Sequence, residues 1–319
     1  MLHCAGRAKA AGLRVAAILA PRHAEEPLPL DGRKTEAALR ALGIPVLVEA
    51  DINAAQPLLR GEWTGRRAIA FCFGPAWIFG PQVLSAFGGG MVNYNPIPVP
   101  RYLGGAHYTW QILNGDRRGG CILQLVTPAL DRGPILRSRY FRIPASARTP
   151  EDYFRAYHRP GCALVDGALK DIVAGRAFRT QAYDRVDARR LYLPRLNTAK
   201  NGFIDWRWSG AEIERFCCAF DRPYAGAGSY IDGVEVRLGD VRLEKGERFH
   251  PFLSGLIVRR SGDTAWIAVT GGLLRVAALR SQGADVRALA REGARLSTPP
   301  EKLHEAAAYR PRLSGTRSG

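Results

Sequence analysis

Lysine is scarce in this chain: six of the 46 basic residues are lysine and the rest are arginine. The formal net charge is +17, yet the excess is spread along the sequence and never gathers into one basic run. That pattern signals a general bias toward anionic ligands and only weakly a nucleic-acid partner. The Cys-x-x-Cys spacing is absent as well. Cys4, Cys72, Cys121, Cys162, Cys217 and Cys218 are scattered, which speaks against both a zinc site and a disulfide framework and for thiols in a reducing compartment, the cytoplasm. No apolar run approaches the ~18 residues of a membrane span. The opening MLHCAGRAKAAGLRVAAILA has the outline of a signal peptide, but Arg14 interrupts it, and a helix followed by a strand is the better reading. Internal repeats are missing too.

What is present is enough apolar material for a large core: 46% of 319 residues, ample for two domains. Short apolar strands over 14–20, 45–49, 67–73 and 90–94 alternate with helices over 34–42 and 79–87. This alternation predicts an open α/β sheet of the Rossmann-like kind. A strand over 121–126 leads into a turn at 128–133, a helix is expected over 110–113, and a long amphipathic helix over 150–173. Further on, Ser209 and Glu212 have capping-box spacing ahead of Ile213, Phe216 and Cys217. Apolar segments at 235–243, 255–260, 265–269 and 273–279 then predict a small OB-like β-barrel. The expected division is a first domain over 1–185, a linker over 186–205, the barrel over 206–282, and a basic, disordered tail over 283–319.

The most informative stretch runs from Val92 to Leu136, containing VNYNPIPVPRYLGG, WQILNGD and ALDRGPIL. It resembles the signature of the folate-dependent formyltransferases, in which Asn-x-His opens the motif, Pro-Arg-Tyr and paired glycines follow, and a Leu-Asp-x-Gly turn supplies a carboxylate. Asn93 and Asp131 match that pattern; Asn95 stands where the family has its histidine. The segment from Asn201 to Gly233 is similar to the linker and carboxy-terminal domain of formyltransferases acting on sugar nucleotides and on initiator methionyl-tRNA. FHPF at 249–252 resembles the sugar-nucleotide branch.

The resemblance implies transfer of a formyl group from 10-formyltetrahydrofolate to an amine, with no metal. Asn93 would steady the oxyanion, a contribution of about 3 to 4 kcal/mol in a water-poor site. Asn95 shares a face with Asn93, because strand side chains alternate. It can donate a hydrogen bond but cannot take a proton, so a general-base factor of roughly a hundredfold to ten-thousandfold is missing. Asp131 would handle a proton-carrying water. Three readings stay open: a slower or rewired transferase working through Asp131 and water, a protein that binds its ligands with little or no transfer, or a site completed by His107. The alternative for His107 is a surface or substrate-facing residue at a helix start.

The family places the pterin end of the folate at Phe73, Gly74, Pro75, Ala76, Trp77 and Ile78; the alternative is an apolar connection that merely packs. Arg101, Tyr102, Gly104 and Gly105 fall on the acceptor side, with Arg101 facing an anion and the glycines setting the path of the loop. The acceptor is read as a small-molecule amine, an amino sugar on a nucleotide, in preference to methionyl-tRNA. Where the tRNA enzyme carries a basic loop, PRHAEEPLPLDGRK is diluted by Glu25, Glu26 and Asp31. A homodimer is compatible with this reading. Related chains also begin with a further strand and turn. Losing a central strand would leave an unpaired ladder, so the start is expected to lie downstream of the true one.

Overall fold

The computed structural model describes residues 1–28, 32–129, 131–182, 190–282 and 285–311. Asp31, Leu130, residues 186–189 of the expected linker and the last eight residues of the expected tail lie outside them. The chain divides into two compact units that interleave along the sequence. The first is residues 1–100, 119–141 and 157–190, and the second is 101–118, 142–156 and 191–319.

The first unit is built on parallel strands, as the alternation of short apolar segments and helices requires. Strands β1 (Ala17–Leu19) and β2 (Val46–Val48) pair in parallel, with helix α1 (Leu2–Ala10) before them and α2 (Thr35–Ala41) between them. Strands β3 (Ala70–Phe73), β4 (Met91–Asn95), β5 (Arg118–Leu125) and β6 (Ile135–Arg142) form a four-stranded sheet in that order, with α3 (Pro81–Ala86) crossing over from β3 to β4. β3 and β4 are parallel, β4 and β5 antiparallel. The strand expected over 121–126 begins earlier, at Arg118, and β6 was not foreseen. Arginines at 137, 139 and 142 hide its apolar face.

The sheet is split. β1 and β3 share their cores but not a ladder. Ala17 and Leu19 bond to the β2 side, through Ala17 N–H to Pro45 O (2.9 Å) and Glu49 N–H to Leu19 O (2.9 Å). Ala70 N–H bonds to Gly90 O on the β4 side (3.1 Å). Alternation along a strand therefore turns the N–H groups of Ile18 and Phe71 toward the seam, where neither has a backbone partner among the described residues. Side chains bridge the seam instead. On one face Ile18 and Leu47 pack with Ala70, Cys72 and Met91. On the other, α1 lays Leu2 and Ala5 over β1 and β2, and Cys4 and Ala8 against Phe71, Phe73, Val165 and Leu169.

Helix α5 (Pro150–Val173) matches its expected span. Its N-terminus is held by Thr149, whose hydroxyl accepts from Asp152 N–H (3.2 Å), while Asp152 accepts from the Thr149 N–H (2.9 Å). Leu164 and Ala168 of this helix pack on Val92, Cys121, Leu123 and Leu136.

In the second unit α4 (His107–Leu113) packs against α6 (Gly210–Ala219). The expected capping box at Ser209 and Glu212 is present in full. Strands β7 (Ala227–Ile231), β8 (Val234–Glu244), β9 (Ile257–Ser261), β10 (Thr264–Val269), β11 (Gly272–Ser281) and β12 (Leu296–Ser297) form one antiparallel sheet, ordered β9-β10-β11-β8-β7-β12. Residues 285–311, expected to be disordered, are instead folded: β12 pairs with β7 and α7 (Pro300–Ala308) follows. Buried Leu296 and Ala306 anchor this segment, and the Asn201 side chain donates to Ala306 O (2.8 Å) and Tyr309 O (3.1 Å). The sparse apolar content concealed it, because so few side chains do the anchoring.

Two outcomes check this architecture. In hydrogen exchange the amides of Ile18 and Phe71 should be at least about tenfold less protected than those of Ala17 and Ala70; equal protection would mean that the seam is closed. Ser209→Ala should cost about 1 kcal/mol in urea unfolding of the second unit, and an unchanged midpoint would remove the capping box from the account.

Candidate active site

β4 reads Met-Val-Asn-Tyr-Asn, and its two neighbours fix its register. Cys72 of β3 pairs with Asn93, and Asn93 with Gln124 of β5. Val92 and Tyr94 face the core that holds Leu123 and Ala168, which leaves Asn93 and Asn95 together on the opposite face. The spacing argument for these two side chains holds. The Asn93 side chain makes no hydrogen bond among the described residues, and its Oδ1 is buried without a partner. A buried polar atom left in that state costs about 1 to 3 kcal/mol. Asn95, half-buried, likewise has no side-chain partner among the described residues.

The carboxylate arrives by way of β5. After Leu125 the chain rejoins the sheet where Leu125 N–H donates to Pro134 O (2.9 Å). Asp131 sits in the turn with φ +55°, in the left-handed region. Gly133 is required there, since a Cβ would lie 1.8 Å from Leu125 O. Gln124, 2% exposed, donates through its amide nitrogen to Asp131 O and Gly133 O, both at 2.9 Å. Burial raises the Asp131 carboxyl above its ordinary value. Residues 38 apart in sequence are thereby brought within one glutamine side chain of each other, Gln124 being the cross-strand partner of Asn93. Sequence reasoning passed over Gln124. The signal was a lone amide in the otherwise apolar CILQLV.

Next to this row lies the loop after β3. Phe73 packs with Phe71 and Tyr94, and Gly74 adopts φ +59°. Trp77 and Phe79 join the core cluster of Ile52 and Val83, with Trp77 Nε1–H donating to Ala50 O (2.8 Å). Asn53 holds the far end, accepting from Gly80 N–H (2.7 Å) and donating to Ile78 O (3.1 Å). Ile78 itself is 78% exposed. The indole of Trp77 is therefore occupied in packing. The backbone N–H groups of Ala76, Trp77 and Ile78 have no backbone partner among the described residues.

The other residues singled out from sequence belong to the second unit. His107 opens α4, its ring 4.0 Å from that of Tyr108, and burial pushes its pKa down to about 4. It is a neutral imidazole and a weak base at neutral pH. Tyr102 is 4% exposed and its hydroxyl donates to Asp116 (2.9 Å), so that hydroxyl is committed to the fold and not to an acceptor. Gly104 and Gly105 owe their identity to close packing: a Cβ would lie 2.1 Å from Leu193 O and 2.2 Å from the Arg195 side chain, respectively. Arg101 is exposed and without a hydrogen bond or ion pair among the described residues. No group of three or more His, Cys, Asp or Glu among the described residues is placed to hold a metal.

Residues 69–166 match the formyl transferase domain and residues 197–290 the formyl transferase C-terminal domain. The chain is similar to a methionyl-tRNA formyltransferase of Roseiflexus sp. (strain RS-1), 30% identical over 285 residues that span 88% of this chain and 82% of the relative. In fold it is similar to WlaRD, a sugar 3N-formyl transferase solved in the presence of dTDP and 5-N-formyl-THF, with TM-score 0.63 and 13% identity over 89% of this chain and 94% of that one. It is also similar to an N-formyltransferase from Helicobacter canadensis in complex with folinic acid and dTDP-3-aminofucose, with TM-score 0.59 and 14% identity over 83% and 100% of the two chains. The first matched domain contains both Asn93 and Asp131, and with a relative of this identity and coverage the chain belongs to the formyl transferase family.

Proposed function

We propose that the chain transfers the formyl group of 10-formyltetrahydrofolate to the amine of a small molecule, an amino sugar carried on a nucleotide. The observation that carries this reading is an Asn93 side-chain amide with its oxygen buried and unpartnered, joined through Gln124 to a turn that carries the half-buried Asp131, whose carboxyl is raised by desolvation. The folate supplies the formyl carbon when bound. The N–H groups of Ala76, Trp77 and Ile78, without a backbone partner among the described residues, suit the edge of a pterin. As the amine nitrogen bonds to the formyl carbon, Asn93 donates to the formyl oxygen while negative charge builds there. Asp131 takes the amine's proton through a water and returns it to the departing folate nitrogen, so that the carbon–nitrogen bond to folate breaks without a net change of protons. Asn95 donates to the same oxygen or to the water.

An amino sugar is preferred to tRNA because the loop before α2 is close to neutral: Lys34 is ion-paired with Glu25. The name of the Roseiflexus relative favours methionyl-tRNA as the second reading. His107 is the less suitable base, since burial leaves it too weak at neutral pH.

Asn95→His should raise the transfer rate by one or more powers of ten and add a pH limb near 6.5; no response would favour a protein that binds without transfer. In the unsubstituted chain activity should fall on acidification through a single limb above the ordinary carboxylate range, because burial resists ionisation of Asp131. Asp131→Asn should abolish that limb. The sign for stability is opposite. A raised carboxyl pKa favours the protonated fold, so ionised Asp131 costs stability as pH rises through that value, and Asp131→Asn should melt higher than the parent at neutral pH. Calorimetric titration with 5-formyltetrahydrofolate tests the cosubstrate directly, and absence of saturable binding would overturn the proposal.

A further inference from the structure

We infer that Gln124 is a positioning residue of this site, fixing the Asp131 turn relative to Asn93 through both hydrogens of its side-chain amide. The inference rests on the formyl-transfer reading above. Gln124 stands directly across the ladder from Asn93, so their Cβ atoms are about 4.5 to 5.5 Å apart. From there the amide nitrogen reaches Asp131 O and Gly133 O, each at 2.9 Å. Among the described residues the turn has few other restraints of its own. Thr127 Oγ1–H donates to Ala129 O (3.0 Å), and Arg132 N–H makes a long bond to the same carbonyl (3.3 Å). Neither fixes the carbonyl of Asp131, whose backbone is held at positive φ.

The consequence is geometric. A side chain that starts on the strand of the oxyanion donor ladder and ends on the proton carrier sets the separation of the two. An error of about 1 Å in that separation is enough to cost on the order of a hundredfold in rate. Desolvation is what raises the Asp131 carboxyl. Its titration therefore reports how deeply the turn is held. With the clasp gone the turn opens, water reaches the carboxyl, and its midpoint falls toward the ordinary value.

The experiment compares full-length Gln124→Met, close in length but without a donor, and Gln124→Ala with the parent chain. Three readouts are needed: amide exchange at Asp131 and Arg132, carbon-13 titration of the Asp131 carboxyl, and transfer kinetics against pH. In a folded Gln124→Met variant, exchange of the turn amides should rise about tenfold or more and the acid limb and carboxyl midpoint should move down together. The kcat should fall by about tenfold or more, while affinity for 5-formyltetrahydrofolate stays within about threefold of the parent. An unchanged midpoint and kcat in a folded variant would overturn the inference and leave Gln124 as an ordinary buried amide. If Gln124→Met does not fold, Gln124→Ala decides by the same readouts. If the parent chain transfers no formyl group, the functional reading fails by itself, and the exchange and carboxyl titration still settle whether the clasp exists.

Discussion

Strand β4 is hydrogen-bonded on both sides, parallel to β3 and antiparallel to β5, and this double pairing is the constraint on which the site depends. A strand held so cannot slip by one residue without exchanging its faces. Such a slip would turn Asn93 and Asn95 into the core and bring Val92 and Tyr94 out. Val92 is fully buried among Cys121, Leu123 and Ala168, and removing such a side chain from its apolar surroundings costs about 1.5 to 3 kcal/mol. Packing on one face thus fixes chemistry on the other, and β5, by opposing Gln124 to Asn93, extends the order to the turn beyond it.

Electrostatics in this family member works through burial more than through pairing. The arginines that give the chain its charge are mostly exposed or tied to acids on the same surface, as with Arg118 on Asp116 and Arg207 on Asp205. Where titratable groups are withdrawn from water, their neutral forms are favoured. Asp131 is shifted up, His107 down to about 4, and Cys72 up to about 12.

The spacing of apolar residues was enough to locate β1 to β4 and α5, because each buries a face whose period is visible in the residues themselves. The motif located Asn93 and Asp131 but not what joins them. Gln124 is a single polar letter whose partners are backbone carbonyls, and main-chain acceptors leave no trace in a sequence. Tyr102, Gly104 and Gly105 were legible as special but not as to why. Their reasons lie in Asp116, Leu193 and Arg195, which only the fold brings alongside. The folded segment at 285–311 escaped notice because edge pairing with β7 supplies what apolar content does not.

The split between β1 and β3 gives the loop at 74–80 a second significance. The bonds from Trp77 to Ala50 and from Asn53 to Ile78 and Gly80 join the segment after β3 to the segment after β2, so they stitch the two sheet fragments where no ladder does. Any molecule that orders that loop also clamps the stitch, and the free energy of its binding is shared with the cohesion of the sheet. Occupancy and mechanical integrity are then two faces of one equilibrium. The first unit should be most coherent when that loop is ordered, and the β1–β2 pair should part from the four-stranded sheet most readily when it is not.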